Sequence, residues 1–198
     1  METIKQRRKV STRKLALIGM MVAITTLLDY TIGIIPLPMV SASIVHIPTI
    51  IAGIVAGPVV GAIVGGLMGL EILIHAATRP PSPLAPLFIN PLVSVLPRIF
   101  IGVMSYYVYR ACANIFKQGK MGENMSIFIG AAAGSMINTI GVLSMLYIVY
   151  AQRIETILQS TSAKAFIITV ASTNGVAELI VSGIICVPVI AAIKKVYK

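Results

Sequence analysis

Long apolar stretches separated by short polar or proline-rich intervals recur along the whole chain. The first runs from about Leu15 to Ile35, with Asp29 as its one charge. Pro36-Leu37-Pro38 ends it, because proline lacks the amide hydrogen and clashes with the preceding turn. A shorter run follows from about Ile44 to Ala56, interrupted by Pro48 and closed by Gly57-Pro58. A third helix is predicted from about Val59 to Ala77. The segment Thr78 to Leu87 carries four prolines in ten residues, a composition that predicts a stiff, extended loop. Three further helices are predicted over about Asn90–Phe116, Ser126–Tyr150 and Lys164–Tyr197, with Arg153 to Ser162 as a polar loop. A membrane span needs ~20 apolar residues. The pattern therefore predicts an all-α integral membrane protein, a six-transmembrane-helix bundle in a single domain over residues 1–198. A signal peptide is the competing assignment for the first run, since basic residues precede it and Ser41-Ala42-Ser43 imitates a cleavage site. The length of that run and the equally apolar remainder favour a retained helix.

Composition excludes most alternatives. The chain is 57% hydrophobic and 11% charged, whereas a soluble domain carries about a quarter charged residues. The excess apolar surface must meet membrane lipid, and little chain is left for a soluble catalytic domain. Cys112 and Cys186, the only cysteines, lie in apolar stretches, which excludes a disulfide scaffold. The net charge of +10 is concentrated rather than spread. Lys5, Arg7, Arg8, Lys9, Arg13 and Lys14 precede the first helix; Arg110, Lys117 and Lys120 lie between the fourth and fifth; Lys194, Lys195 and Lys198 close the chain. Basic residues at helix ends mark the cytoplasmic side. Six crossings then place both termini in the cytoplasm of a multi-pass cell-membrane protein, and the charge speaks for topology rather than nucleic acid.

Ionisable side chains inside a span cost about 2.5–3.5 kcal/mol at the helix centre, and they usually face the bundle interior or a wet cavity. On the fourth helix Asn90, Ser94, Arg98, Gly102, Ser105 and Tyr109 recur at the three- and four-residue spacing of one face. Gly134, Asn138, Gly141 and Met145 share a face of the fifth; Ala171, Asn174, Gly175, Glu178 and Ser182 share one on the sixth. The candidate solute site is therefore Asn90, Ser94, Arg98, Asn138, Asn174 and Glu178, in the outer half of the bundle. The alternative is that Arg98 and Glu178 pair to lock the helices while the amides bond across them. The accompanying small residues leave room that a tight lock does not need. Few aromatic residues flank these positions, which argues against a large stacked ring.

Glu71 and His75, one turn apart with Arg79 just beyond, are expected to be interfacial or locally paired. His46 and His75 are the only histidines, and no Cys/His spacing supports a metal site. No cofactor is expected. Gly57, Gly61, Gly65 and Gly69 form a small-residue ridge expected to pack internally. Gly19 and Ala23, with Ala16 nearby, form a second small-residue pair, suited to an internal contact or to docking a separate membrane protein. No G-x-x-x-x-G-K-[ST], H-E-x-x-H or G-x-S-x-G motif occurs. Uptake through this protein would draw energy from a partner or an ion gradient.

Taken in order, several segments resemble the substrate-binding S component of an energy-coupling factor (ECF) vitamin transporter. They are Thr12-Arg13-Lys14-Leu15-Ala16-Leu17-Ile18-Gly19, His46-Ile47-Pro48-Thr49-Ile50-Ile51-Ala52-Gly53, Gly57-Pro58-Val59-Val60-Gly61-Ala62-Ile63-Val64-Gly65 and Asn90-Pro91-Leu92-Val93-Ser94-Val95-Leu96-Pro97-Arg98. The resemblance spans nearly the whole chain. It implies a non-enzymatic vitamin-capturing subunit that topples in the membrane, partnered by a transmembrane coupling protein and two cytoplasmic ATPases. It implies a gating loop from Pro36, Leu37 and Pro38 to His46, and a coupling-protein dock at Ala16, Gly19 and Ala23, with glycine where the family has its first alanine. The His-Ile-Pro and Asn-Pro-Leu segments look most like the pantothenate-linked subgroup. A stand-alone ion-coupled carrier is the alternative, followed by an intramembrane enzyme using Glu71, His75 or Arg79.

Overall fold

The computed structural model describes residues 12–31, 34–36, 41–80, 82–116, 119–158 and 162–196. The elements are α1 (Thr12–Tyr30), β1 (Ile34–Pro36), β2 (Ser41–Ser43), α2 (Ile47–Ala56), α3 (Pro58–Thr78), α4 (Pro91–Ser94), α5 (Leu96–Ile115), α6 (Gly119–Leu158) and α7 (Ala163–Val196). A 3-10 turn occupies Ala85–Ile89. Since α4 and α5 form one interrupted helix, the architecture is the expected all-α one, with six helical stretches among the described residues. Among the described residues, four stretches are long and apolar enough to cross a membrane: Pro58–Thr78, Pro91–Ile115, Gly119–Leu158 and Ala163–Lys195.

The other two helices differ in kind. α2 has only ten residues, about 15 Å at 1.5 Å per residue, half a hydrocarbon layer. Ile47 to Ile54 are all buried, so its apolar side chains meet protein on every side. Within the short run expected over Ile44–Ala56, α2 is thus a buried plug. Its stop is local: Gly57 adopts φ 102°, which favours glycine, and Pro58 opens α3.

α1 ends at Tyr30 rather than near Ile35. Ile34 and Ile35 instead enter a hairpin, where β-branched residues suit extended backbone. β1 and β2 pair antiparallel, with Ile34 opposite Ser43 and Pro36 opposite Ser41.

Three of the four ridge glycines set the helix spacing. A Cβ on Gly65 would stand 2.1 Å from the Arg98 carbonyl oxygen, one on Gly69 2.6 Å from that of Ser94, and one on Gly61 2.9 Å from Gly102 Cα. α3 therefore lies against α4 and α5 backbone to backbone, the close approach small residues permit in lipid. Gly57 belongs to the turn instead and has nothing within 4 Å of a Cβ. Gly53 joins the contact from α2, where a Cβ would meet the Gly102 carbonyl oxygen at 2.2 Å.

Two segments expected to be loops are partly ordered as helix. Within 78–87, Ala85 opens the 3-10 turn, which accepts Pro86 in its first turn, and Leu87 is buried. α6 continues to Leu158 past a break at Tyr150 (φ −133°, ψ 21°), so 153–158 is helical rather than loop. The reason is apolar: Ile154 belongs to a buried cluster, and Ile157 and Leu158 pack against it, as do Phe166 and Val170. Glu155 accepts the Ala163 backbone N–H at 3.1 Å and so caps the start of α7.

Candidate functional site

Local sequence places Arg98. Asn90 caps α4, its Oδ1 accepting from Leu92 N at 3.0 Å. Pro97 then interrupts the helix, because it has no N–H to give the Val93 carbonyl four residues earlier. The Arg98 guanidinium supplies the missing donor, with Nη1 2.5 Å from Val93 O. A buried carbonyl orphaned by proline is thus satisfied by the next side chain, which fixes that arginine in the interior. Arg98 is 6% exposed, sits over the Phe88 ring at 5.6 Å, and its Nε has no partner among the described residues.

Arg98 lines a cavity of about 320 Å³ together with Asn138 and Thr139 of α6 and Asn174 and Glu178 of α7. Ser43 of β2 closes one side. Leu87, Phe88, Leu146, Ile154, Phe166 and Val170 form much of the apolar wall. This is the arrangement of a small-molecule site: a mostly apolar concavity with a few convergent polar groups. Asn138 Oδ1 is buried with no partner among the described residues.

Glu178 is more constrained than the sequence implies. Its Oε1 accepts the Ser43 backbone N–H at 3.1 Å and its Oε2 the Thr139 hydroxyl at 3.2 Å. No ion pair within 4 Å joins it to Arg98 among the described residues. The two charges therefore share the cavity without the direct lock considered from sequence. Just below, buried His46 meets Ser182 of α7, Nε2 to Oγ at 2.9 Å. The chain entering α2 is thus held to α7 at two points.

The structure separates the six sequence candidates. Arg98, Asn138, Asn174 and Glu178 come together at the cavity. Asn90 and Ser94 do not line it: Asn90 caps α4 and reaches Tyr150 Oη at 3.3 Å, while the buried Ser94 hydroxyl donates to Asn90 O at 3.1 Å. Both hold the turn that presents Arg98. Of the expected gate, Pro36 lies in β1 and His46 at the start of α2, while Leu37 and Pro38 lie outside the described residues. Ser43, Thr139, Phe88 and Phe166 were not singled out from sequence. Ser43 acts through its backbone, which no residue type announces. Thr139 sits beside Asn138, which could have drawn attention to it. The two phenylalanines, near Asn90 and Asn174 in sequence but not on the helical faces read there, reach the cavity wall through the fold.

Other candidates fall outside. His75 Nδ1 pairs with Asp29 Oδ2 at 2.7 Å and stacks on Tyr30 at 4.7 Å. Glu71 lies nearby, with Thr26, Asp29 and His75 as its polar neighbours. No group of three or more potential metal ligands occurs among the described residues. Ala16, Gly19 and Ala23 are all exposed on one side of α1, and a Cβ at Gly19 would meet nothing within 4 Å.

Comparison with known proteins places these features in context. A family model described as ECF transporter, substrate-specific component matches residues 13–190. The pantothenic acid transporter PanT of Lactococcus lactis subsp. cremoris (strain MG1363) is 26% identical over 191 residues, covering 90% of each chain. Among solved structures, ThiT from Listeria monocytogenes superposes with a TM-score of 0.66 at 18% identity, covering 92% of this chain and 96% of that one. The S component of a bacterial ECF transporter gives a TM-score of 0.53 at 18% identity, covering 92% and 94%. The structural likenesses speak for the fold.

Proposed function

Because the chain belongs to the ECF transporter substrate-specific component family, whose members are multi-pass membrane transporter subunits and not enzymes, we propose that it captures pantothenate in the cavity bounded by α5, α6, α7 and the hairpin. The observation that carries this reading is the convergence of Arg98, Asn138, Asn174 and Glu178 on one concavity. A cavity of about 320 Å³ lies at the small end of ligand sites, ~300–1,000 Å³, and suits a compact solute. Pantothenate carries one carboxylate, one amide and two hydroxyls. Arg98 pairs with the carboxylate, Asn138 Oδ1 accepts from a hydroxyl or the amide, and Asn174 and Glu178 complete the polar wall. The similarity to a pantothenic acid transporter supports the same substrate.

On this reading the hairpin is the gate, and its Ser43–Glu178 bond closes the site. The basic helix ends face the cytoplasm, and Ala16, Gly19 and Ala23 form the surface on which the coupling protein docks. Two ATPases drive the cycle through that protein, and the subunit topples to release its cargo inside. Calorimetry on the purified chain tests the substrate, with pantothenate and thiamin titrated in parallel. Pantothenate binds and Arg98→Ala abolishes the heat. Binding of thiamin without pantothenate refutes the substrate assignment. Failure to co-purify with any coupling protein and ATPases refutes the cycle.

A further inference from the structure

A second and larger cavity, about 790 Å³, lies at the opposite end of the bundle. The N-terminal turn of α1, the C-terminal ends of α2 and α7, and the start of α6 surround it. Along α6 its residues Lys120 and Glu123 precede Asn138 of the solute cavity by at least four turns, over 20 Å. Among the described residues five cationic side chains line it: Arg13, Lys14, Lys120, Lys194 and Lys195. Among the described residues its one acidic neighbour, Glu123, is taken by Lys194 at 2.8 Å, and Lys194 also donates to the Tyr109 hydroxyl. Among the described residues Arg13, Lys14, Lys120 and Lys195 have no ion-pair partner. Four like charges around one concavity repel each other unless an anion joins them.

The rest of the wall identifies the kind of anion. Leu17, Val55, Ala56 and Ala191 give the cavity an apolar floor. Cations above an apolar floor, where spans begin and end, match a phosphate headgroup followed by acyl chains; a soluble anion has no use for the floor. Basic pockets between transmembrane helices recognise anionic lipid headgroups in this way. At about 100° per residue, Arg13, Lys14 and Leu17 fall within one arc of α1, while Ala16, Gly19 and Ala23 fall on another. Lipid and coupling protein therefore need not compete.

We propose that this cavity is a binding site for an anionic phospholipid, with Arg13, Lys14, Lys120 and Lys195 around the headgroup phosphate. The site lies outside the solute cavity and does not depend on the identity of the vitamin. With the basic ends cytoplasmic, it draws its lipid from the inner leaflet, whose negative surface favours such clusters.

Native mass spectrometry on the delipidated full-length chain tests this, with phosphatidylglycerol and phosphatidylcholine of identical acyl chains as probes. Phosphatidylglycerol is retained preferentially. Each of Lys14→Gln and Lys195→Gln weakens its retention about fivefold, following ~1 kcal/mol per basic residue near an anionic surface. Arg13→Lys combined with Lys14→Arg keeps the preference. Inorganic phosphate at millimolar concentration does not displace the lipid. Equal retention of the two lipids overturns the proposal, as do unaffected glutamine variants. Displacement by inorganic phosphate makes this a soluble-anion site, and capture of a polyglutamate peptide without lipid preference makes it a protein dock; either overturns it too. Should the glutamine variants fail to fold, rising salt decides on the unsubstituted chain: the preference shrinks if charge builds the site, and a constant preference refutes it.

Discussion

Gly65→Ala tests the link between helix spacing and the solute site. The new methyl carbon would stand 2.1 Å from the Arg98 carbonyl oxygen and 2.8 Å from its carbonyl carbon, where ordinary contact begins near 3.4 Å. Both atoms belong to backbone, so no rotamer relieves the overlap, and α3 and α5 must separate by about 1 Å at the level of Arg98. Overpacking of this kind costs about 1–3 kcal/mol. Alanine's better helix propensity returns up to ~1 kcal/mol, leaving a net loss and a midpoint lowered by about 2–4 °C per kcal/mol. The larger effect falls on the site, because Arg98 moves with its backbone. Loosening a hydrogen bond to a charged group forfeits about 1.5–3 kcal/mol, a roughly 10- to 100-fold weaker Kd for the proposed ligand, pantothenate. Calorimetry and thermal unfolding on the same preparation measure both, with Gly19→Ala as control, since its Cβ would meet nothing within 4 Å. Gly65→Ala that binds and melts like the unsubstituted protein refutes the proposed dependence of Arg98 geometry on α3–α5 packing.

Glu178→Ala removes the acceptor of the Ser43 N–H and of the Thr139 hydroxyl. With ~1.5–3 kcal/mol lost at the charged acceptor, amide exchange at Ser43 should accelerate about tenfold or more; unchanged protection means the hairpin is held elsewhere. Asn90→Ala loses the α4 cap, costing about 1 kcal/mol in thermal unfolding while Arg98 keeps Val93 O. Its ligand Kd should change less than threefold, well short of the tenfold that 1.4 kcal/mol would give. His75→Ala breaks the Asp29 pair and the Tyr30 stack, yet calorimetry should return the unsubstituted Kd, because none of the three lines the cavity. Loss of binding there would move the site toward α1 and α3.

Much of the fold was legible in the sequence, for reasons that vary by element. The long apolar runs of α3, α6 and α7 announce themselves because a bilayer demands length and hydropathy together. Gly57-Pro58 marks its turn because glycine and proline act on the backbone directly. The three- and four-residue spacing that joined Asn90, Ser94 and Arg98 could not sort their roles, because Asn90 stands outside the helix as its cap and the helix is interrupted between Ser94 and Leu96. Ser94 and Arg98 are buried, but Ser94 spends its hydroxyl on the local turn, and the half-buried Asn90 caps α4 and reaches Tyr150. Hydropathy likewise could not tell that α2 is a buried plug, because lipid and a protein interior are equally apolar to an isoleucine. Residues 153–158 read as loop by polarity, although their scattered apolar positions form a helix once Phe166 and Val170 offer a surface to cover.

The sequence by itself thus determined class, helical content and the inward polar stripes, since each follows from properties carried by single residues or by neighbours within a turn or two. Only the tertiary structure decided which stripes meet. Arg98, Asn138, Glu178 and the backbone of Ser43 share a cavity because α3 glycines let α5 approach and because the hairpin folds back onto α7. It also decided that the cations of three sequence segments surround one apolar-floored concavity. Both sites arise from groups far apart along the chain, and their convergence depends on helix packing that hydrophobic periodicity leaves open.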